Sequence, residues 1–126
     1  DLIKFHSLPQ EEQEGVIGRT KPDSIELDDD VKPLTAHISR VVMEDDDGNE
    51  LEIWRRSVPF GTALVQGLQF VAFSHDPTIF TRMLERMYGE SDDGLRDQLT
   101  SFTKPVTGSV FFAPSIEALQ GIWEPS

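Results

Sequence analysis

The stretch Asp76-Pro-Thr-Ile-Phe-Thr-Arg-Met-Leu-Glu-Arg-Met-Tyr-Gly89 constrains the fold more than any other part of this sequence. Asp76 offers a side-chain acceptor to the first free N–H groups of a helix. Pro77 suits the first helical position, where a missing N–H costs nothing. Gly89 suits the left-handed residue that closes a helix. Between these signals Ile79, Met83 and Met87 form one stripe, with Phe80 and Leu84 beside it. The spacing predicts an amphipathic helix over 76–89 whose apolar face must be covered by another layer.

The rest of the chain supplies candidates for that layer. Residues 36–43, "AHISRVVM", alternate with period two, and so do residues 51–58, "LEIWRRSV". The stretch between them, "EDDDGNE", is rich in turn formers, which predicts a hairpin. An EF-hand loop would need its glycine sixth; counting back from Gly48 puts Met43 at position one, so a solvated turn is expected instead of a calcium loop. Residues 67–74, "GLQFVAFS", are expected as a third strand and residues 108–115, "GSVFFAPS", as a fourth. Short helices are expected over 8–18, bounded by Pro9 and Gly18, and over 93–102, with a closing helical turn in "SIEALQGIW". Residues 19–33 read as a long connecting loop, of the kind that often carries function. The order of elements predicts an α+β fold with helices packed on an antiparallel sheet.

Charge and composition exclude several classes. With 23 acidic and 11 basic residues the net charge is −12. Phosphate backbones and anionic membrane surfaces both repel such a chain, so neither nucleic acid nor membrane is expected as a partner. No apolar run reaches membrane-spanning length. The absence of cysteine removes disulfides, thiolate ligands and cysteine nucleophiles. The opening residues lack the pattern of a secretory signal. They start at Asp1 inside an amphipathic segment, as the interior of a longer protein would.

Three histidines are available. His6 and His75 have no second ligand at zinc spacing, and no serine sits in a nucleophile elbow. His37 stands apart at the mouth of the 36–43 segment, and a haem iron needs only one imidazole from the protein. A packed structural histidine is the competing reading. In "EIWRRSVPFG", strand geometry sends Arg55 to the face of Ile53 and Ser57, and Arg56 to the face of Trp54 and Val58. One guanidinium can lie on the surface while the other meets an anionic or peroxidic ligand. Two surface arginines on an edge strand would give the same pattern.

Four segments in collinear order, "GRTKPDSIELDDDVKPLTAHISR", "IWRRSVPFG", "GLQFVAFSHDPTIFTRMLERM" and "FTKPVTGSVFFAPS", resemble the dye-decolourising peroxidases, above all their bacterial B-type class. The likeness runs from about Phe5 to Leu119. It implies a ferredoxin-like α+β unit, one half of a two-unit fold. Residues 1–30 would be the end of the preceding half and a connecting loop, and residues 31–126 the C-terminal haem-binding domain. His37 matches the proximal ligand of the iron of haem b, and Asp97 the carboxylate that accepts its Nδ1 proton. Arg55 matches the distal arginine, Ser57 the polar residue beside it. Arg19 is placed near a haem propionate, and Phe70 on the wall of the pocket. The family's GxxDG motif, with its acid–base aspartate, is missing from this sequence and belongs to the preceding half.

The resemblance further implies a cytoplasmic homo-oligomer that reduces hydrogen peroxide and oxidises dyes, phenolics or other small aromatic reductants. B-type relatives are often packaged in encapsulin shells through a C-terminal tail, and this chain stops at "WEPS" without a long one. Trp54, Tyr88 and Trp123 are candidates for electron relays, with packing as the alternative role. Two other classes compete: a haem-binding or haem-handling protein without turnover, and a ferredoxin-like module without cofactor.

Overall fold

The computed structural model describes residues 1–123, with the side chain of Trp123, and hence its relay role, outside the described set. The elements follow in the order α1 (Leu2–His6), α2 (Gln10–Ile17), α3 (His37–Val41), β1 (Trp54–Arg55), β2 (Val58–Gly61), β3 (Gln66–Gln69), β4 (Ala72–Phe73), α4 (Thr78–Tyr88), a 3-10 turn (Gln98–Ser101) and α5 (Ile116–Trp123).

The helix expected over 76–89 is α4. The Asp76 carboxylate accepts the Thr78 N–H at 2.8 Å, Pro77 already has helical backbone angles, and Gly89 ends the helix in the left-handed region. Ile79 and Met83 are buried beside Met43, with Leu51 and Ile53 packed against them. Each such side chain contributes about 2 kcal/mol by leaving water. Leu84, expected on the same face, is half exposed. The helix expected over 8–18 is α2, and its end carries a packing constraint. Gly18 has φ of +90°, and a Cβ there would lie 2.3 Å from the Ile38 Cγ2. Gly18 therefore both closes α2 and admits α3. Gly18→Ala should destabilise the protein by at least about 2 kcal/mol, from left-handed strain plus overpacking. A urea unfolding curve with an unchanged midpoint would remove this role.

Three expected elements come out differently. Residues 36–43 are not a strand: His37–Val41 is a single helical turn. Ala36, Ile38 and Arg40 are all buried, because this turn is wedged between neighbours on several sides. Burial of every second residue over so short a run imitates a strand period. Residues 93–102 are not an α-helix. Gly94 has φ of +63°, and the aspartates bond to nearby N–H groups in place of helical continuation, leaving only the 3-10 turn. Residues 108–115 make no ladder among the described residues, and a strand exists only through a partner.

The hairpin also changes partners. The acidic turn closes on itself, with a bridge between Glu44 and Glu50 and the Asp45 carboxylate accepting the N–H of Asp47 and of Asn49. Residues 54–61 pair instead with 66–73. Trp54 faces Phe73, Arg55 faces Ala72, and the same register runs on from Val58–Gln69 to Gly61–Gln66. The Arg56 N–H donates to the Val71 carbonyl across the gap at 2.8 Å. The result is α+β with antiparallel pairing, as expected, in which α3 packs chiefly on α4.

Much apolar surface is open on the hairpin and after the 3-10 turn. Phe60, Leu64, Val65 and Leu68 are more than half exposed, and Val106, Val110, Phe111 and Phe112 are exposed almost fully. Surface of this character is normally covered by other protein. Among the described residues no helix is long and apolar enough to cross a membrane.

Candidate functional site

The lone histidine opens α3, and its surroundings fix its ring. The His37 Nδ1 lies 2.6 Å from the Asp97 Oδ2. Asp97 is fully buried and its other oxygen is engaged: Oδ1 accepts the Leu99 N–H at 2.8 Å. The Asp97 N–H donates to the Met87 carbonyl at 3.0 Å, and the Gln98 N–H to the Thr35 carbonyl at 2.9 Å. One carboxylate thus caps the 3-10 turn and orients an imidazole from a segment sixty residues earlier. An ionised Asp97 can only accept, so in the neutral imidazole Nδ1 carries the proton and Nε2 keeps its lone pair. Nε2 has no hydrogen-bond partner among the described residues, and the side chain is 25% exposed. A rigid, carboxylate-backed imidazole with a free nitrogen is suited to ligate a metal.

Behind this pair lies a second set of charges. Arg40 is only 2% exposed. Its two terminal nitrogens donate to both oxygens of Asp93, at 2.7 and 2.9 Å. One of them also reaches the Ser91 hydroxyl, and Nε donates to the Arg86 carbonyl at 3.1 Å. Arg86 replies by donating to the carbonyls of Arg40 and Ser39 at 2.9 and 2.8 Å. The two guanidiniums thereby satisfy carbonyls at the ends of each other's helices. Hydrogen bonding from Arg40, helped by the Leu95 N–H, holds the Asp93 carboxyl well below the usual carboxylate range. Burial, followed by the adjacent Arg40 charge, pulls Arg86 down.

Arg55, Ser57 and Phe70 all lie on the hairpin. Register puts Arg55 beside Ala72 and, carried across the gap, sets Ser57 opposite Phe70, so the three share one face. Arg55 and Phe70 are exposed and Ser57 half-buried. Among the described residues the Arg55 guanidinium makes neither a hydrogen bond nor an ion pair. The opposite face is defined by Trp54, whose ring lies 5.6 Å from that of Phe73 and 4.0 Å from the Arg56 guanidinium. The two neighbouring arginines therefore divide as expected: Arg56 stacks, and Arg55 is available. Arg19 is half-buried, donating to the Ser24 carbonyl at 2.7 Å and lying 3.6 Å from Glu26. Tyr88 stands 5.8 Å from the Arg96 guanidinium.

The structure unites His37 with Asp97, and Arg55 with Ser57 and Phe70. Sequence reasoning missed the Arg40–Asp93–Arg86 set. The signal was spacing: on a helix, Arg40 three residues after His37 shares its side, a relation that a strand reading conceals.

A family model described as Dyp-type peroxidase, C-terminal, matches residues 1–118. The dye-decolorizing peroxidase of Mycolicibacterium paratuberculosis is 44% identical over 121 residues, 94% of this chain and 34% of the relative. The cryo-EM structure of the encapsulated DyP-type peroxidase from Mycobacterium smegmatis aligns with TM-score 0.88 at 44% identity, over 94% of this chain and 39% of that one. A DypB variant from Rhodococcus jostii, solved in complex with heme, aligns with TM-score 0.74 at 37% identity, over 80% of this chain and 33% of that one. These likenesses bear out the ferredoxin-like α+β reading. The chain spans about a third of the length of the curated relatives it matches.

Proposed function

We propose that this chain, which belongs to the Dyp-type peroxidase family, contributes the iron-ligating histidine and the peroxide-facing guanidinium of an enzyme. That enzyme reduces hydrogen peroxide with haem b and draws single electrons from dyes, phenolics or other small aromatic donors. The observation that carries this reading is the His37–Asp97 pair at 2.6 Å. Its donor chemistry fits haem: the bond to Asp97 fixes Nδ1 as the protonated nitrogen, leaves Nε2 open, and makes the imidazole a stronger donor. The likeness to a protein in complex with heme supports the same group.

Haem, when bound, supplies the iron and the oxidising equivalents. The chain's own residues do the rest. His37 would hold the iron through Nε2, with Asp97 keeping its ring from turning. Arg55, unpaired within the hairpin, presents a permanent positive charge where negative charge builds as the O–O bond of peroxide breaks. Ser57 and Phe70 flank it on the same face, as a polar neighbour and an apolar wall. Arg19 would pair with a propionate. Proton transfer falls to the aspartate of the GxxDG motif, in the length of the family outside this chain. The open apolar surface of the hairpin supports packing against that remaining length. An encapsulated relative supports a cytoplasmic setting inside a similar shell.

The test uses the complete protein loaded with haem. It should show a Soret band and oxidise a dye only when peroxide is added. A Soret band without turnover would reduce the protein to a haem carrier; no band at all would remove the cofactor.

A further inference from the structure

We infer that Arg40, clamped by Asp93, is a positioning residue that sets the direction in which His37 presents Nε2. The inference rests on His37 ligating haem iron, and it concerns a buried side chain behind that ligand.

The helix that carries His37 is five residues long, too short to be stable by itself. Its N-cap, Ala36, provides no side-chain hydrogen bond. The orientation of its first residue must therefore come from outside. Among the contacts that provide it, two pair a charged side chain of α3 with a carboxylate, and both run between the same two segments. His37 reaches Asp97 at 2.6 Å. Arg40, three residues on, reaches Asp93, four residues before Asp97, at 2.7 and 2.9 Å. The His37–Asp97 bond alone fixes one distance between those segments. The Arg40–Asp93 contact adds a second anchor between them, and its bidentate form fixes an angle as well as a distance.

The surrounding bonds stiffen this frame. Ser91 joins the clamp from both sides, accepting from Arg40 at 3.1 Å and donating to Asp93 at 2.9 Å. The Leu95 N–H holds the same Asp93 oxygen at 3.0 Å. Arg86 ties the Ser39 and Arg40 carbonyls to α4. Both guanidiniums around α3 are thus hydrogen-bonded, and a small rotation of the helix would break several of these contacts together. A buried guanidinium is a costly way to gain stability alone; its bidentate geometry explains its place here as a means of aiming the ligand.

The test compares the complete holoenzyme with its Asp93→Asn, Arg40→Lys and His37→Ala variants, by resonance Raman spectroscopy of the ferrous state. An iron–histidine stretch in the parent that is absent from His37→Ala establishes the ligand on which the inference stands; its absence from the parent would sink that earlier reading instead. Given the ligand, Asp93→Asn and Arg40→Lys should keep haem bound and the near-UV circular dichroism intact. The stretch should shift and broaden, and haem should leave about tenfold faster, the lower end of what changes around a metal ligand produce. Arg40→Lys retains the charge but not the fork, so an equal shift in both variants identifies geometry as the cause. A lowered melting temperature with an unmoved stretch would make the clamp purely structural and overturn the proposal. Failure of both variants to fold would overturn it in the same way.

Discussion

His37→Ala in the complete protein should abolish stable haem binding, with the Soret band lost after gel filtration. Changes to residues that merely support a metal ligand cost about 10- to 100-fold in affinity, and here the ligand itself is removed. The geometry bounds the part of this effect that comes from damage to the fold. The substitution leaves the Asp97 Oδ2 buried without its partner at 2.6 Å, which for a carboxylate costs more than the penalty of about 1–3 kcal/mol for a neutral group. The other Asp97 oxygen remains bonded to the Leu99 N–H, so the 3-10 turn keeps its cap. The variant should melt earlier yet retain its near-UV circular dichroism while binding no haem. An unchanged Soret band in a folded variant would remove His37 from the iron.

The parts of this fold legible in the sequence were those fixed by local chemistry. Asp76, Pro77 and Gly89 marked both ends of α4, and Pro9 and Gly18 those of α2, because caps and left-handed closures act within one turn of the chain. The parts that were not legible depend on distant partners. The 36–43 segment has an apolar alternation that suits a strand, but the neighbour of Ile38 is Gly18, a residue with no side chain to obstruct it. That meeting is invisible along the sequence. The hairpin was misassigned for a related reason. "EDDDGNE" carries strong turn formers, whereas the tip of the real hairpin, Thr62-Ala-Leu-Val65, lacks glycine and asparagine. It is held by the Thr62 hydroxyl, which accepts from the N–H of Leu64 and of Val65 at 3.3 and 3.1 Å.

The site divides along the same line. Strand parity alone predicted that Arg55 and Arg56 would part, and they do. Pairing Asp97 with His37 needed the family resemblance, since sixty residues separate them and nothing in "LRDQL" marks an acceptor. Arg40 and Asp93 escaped both routes. Arginine beside valine looks like surface, and an aspartate in "GESDDGL" looks like solvated turn, until the fold buries one and turns the other toward it.

Arg55→Leu should separate cofactor binding from chemistry. The guanidinium has no protein partner among the described residues and lies exposed on the hairpin, so its removal should change folding stability by no more than about 0.5 kcal/mol. Haem should stay bound, because the ligand comes from α3. The second-order rate with peroxide, measured by stopped flow, should fall by about 10²- to 10³-fold. That is the usual loss when one preorganised donor to a developing anion is removed, and it corresponds to about 2.7–4 kcal/mol of barrier. Arg55→Lys should recover part of the rate, since it restores the charge without the two-pronged donor. Arg56→Leu is the internal control. Its guanidinium stacks on Trp54 at 4.0 Å, on the opposite face, so the peroxide rate should match the parent. If Arg55→Leu also matched the parent, Arg55 would have no part in cleaving peroxide. If Arg56→Leu were the slow variant, the two faces of the hairpin would have to exchange roles.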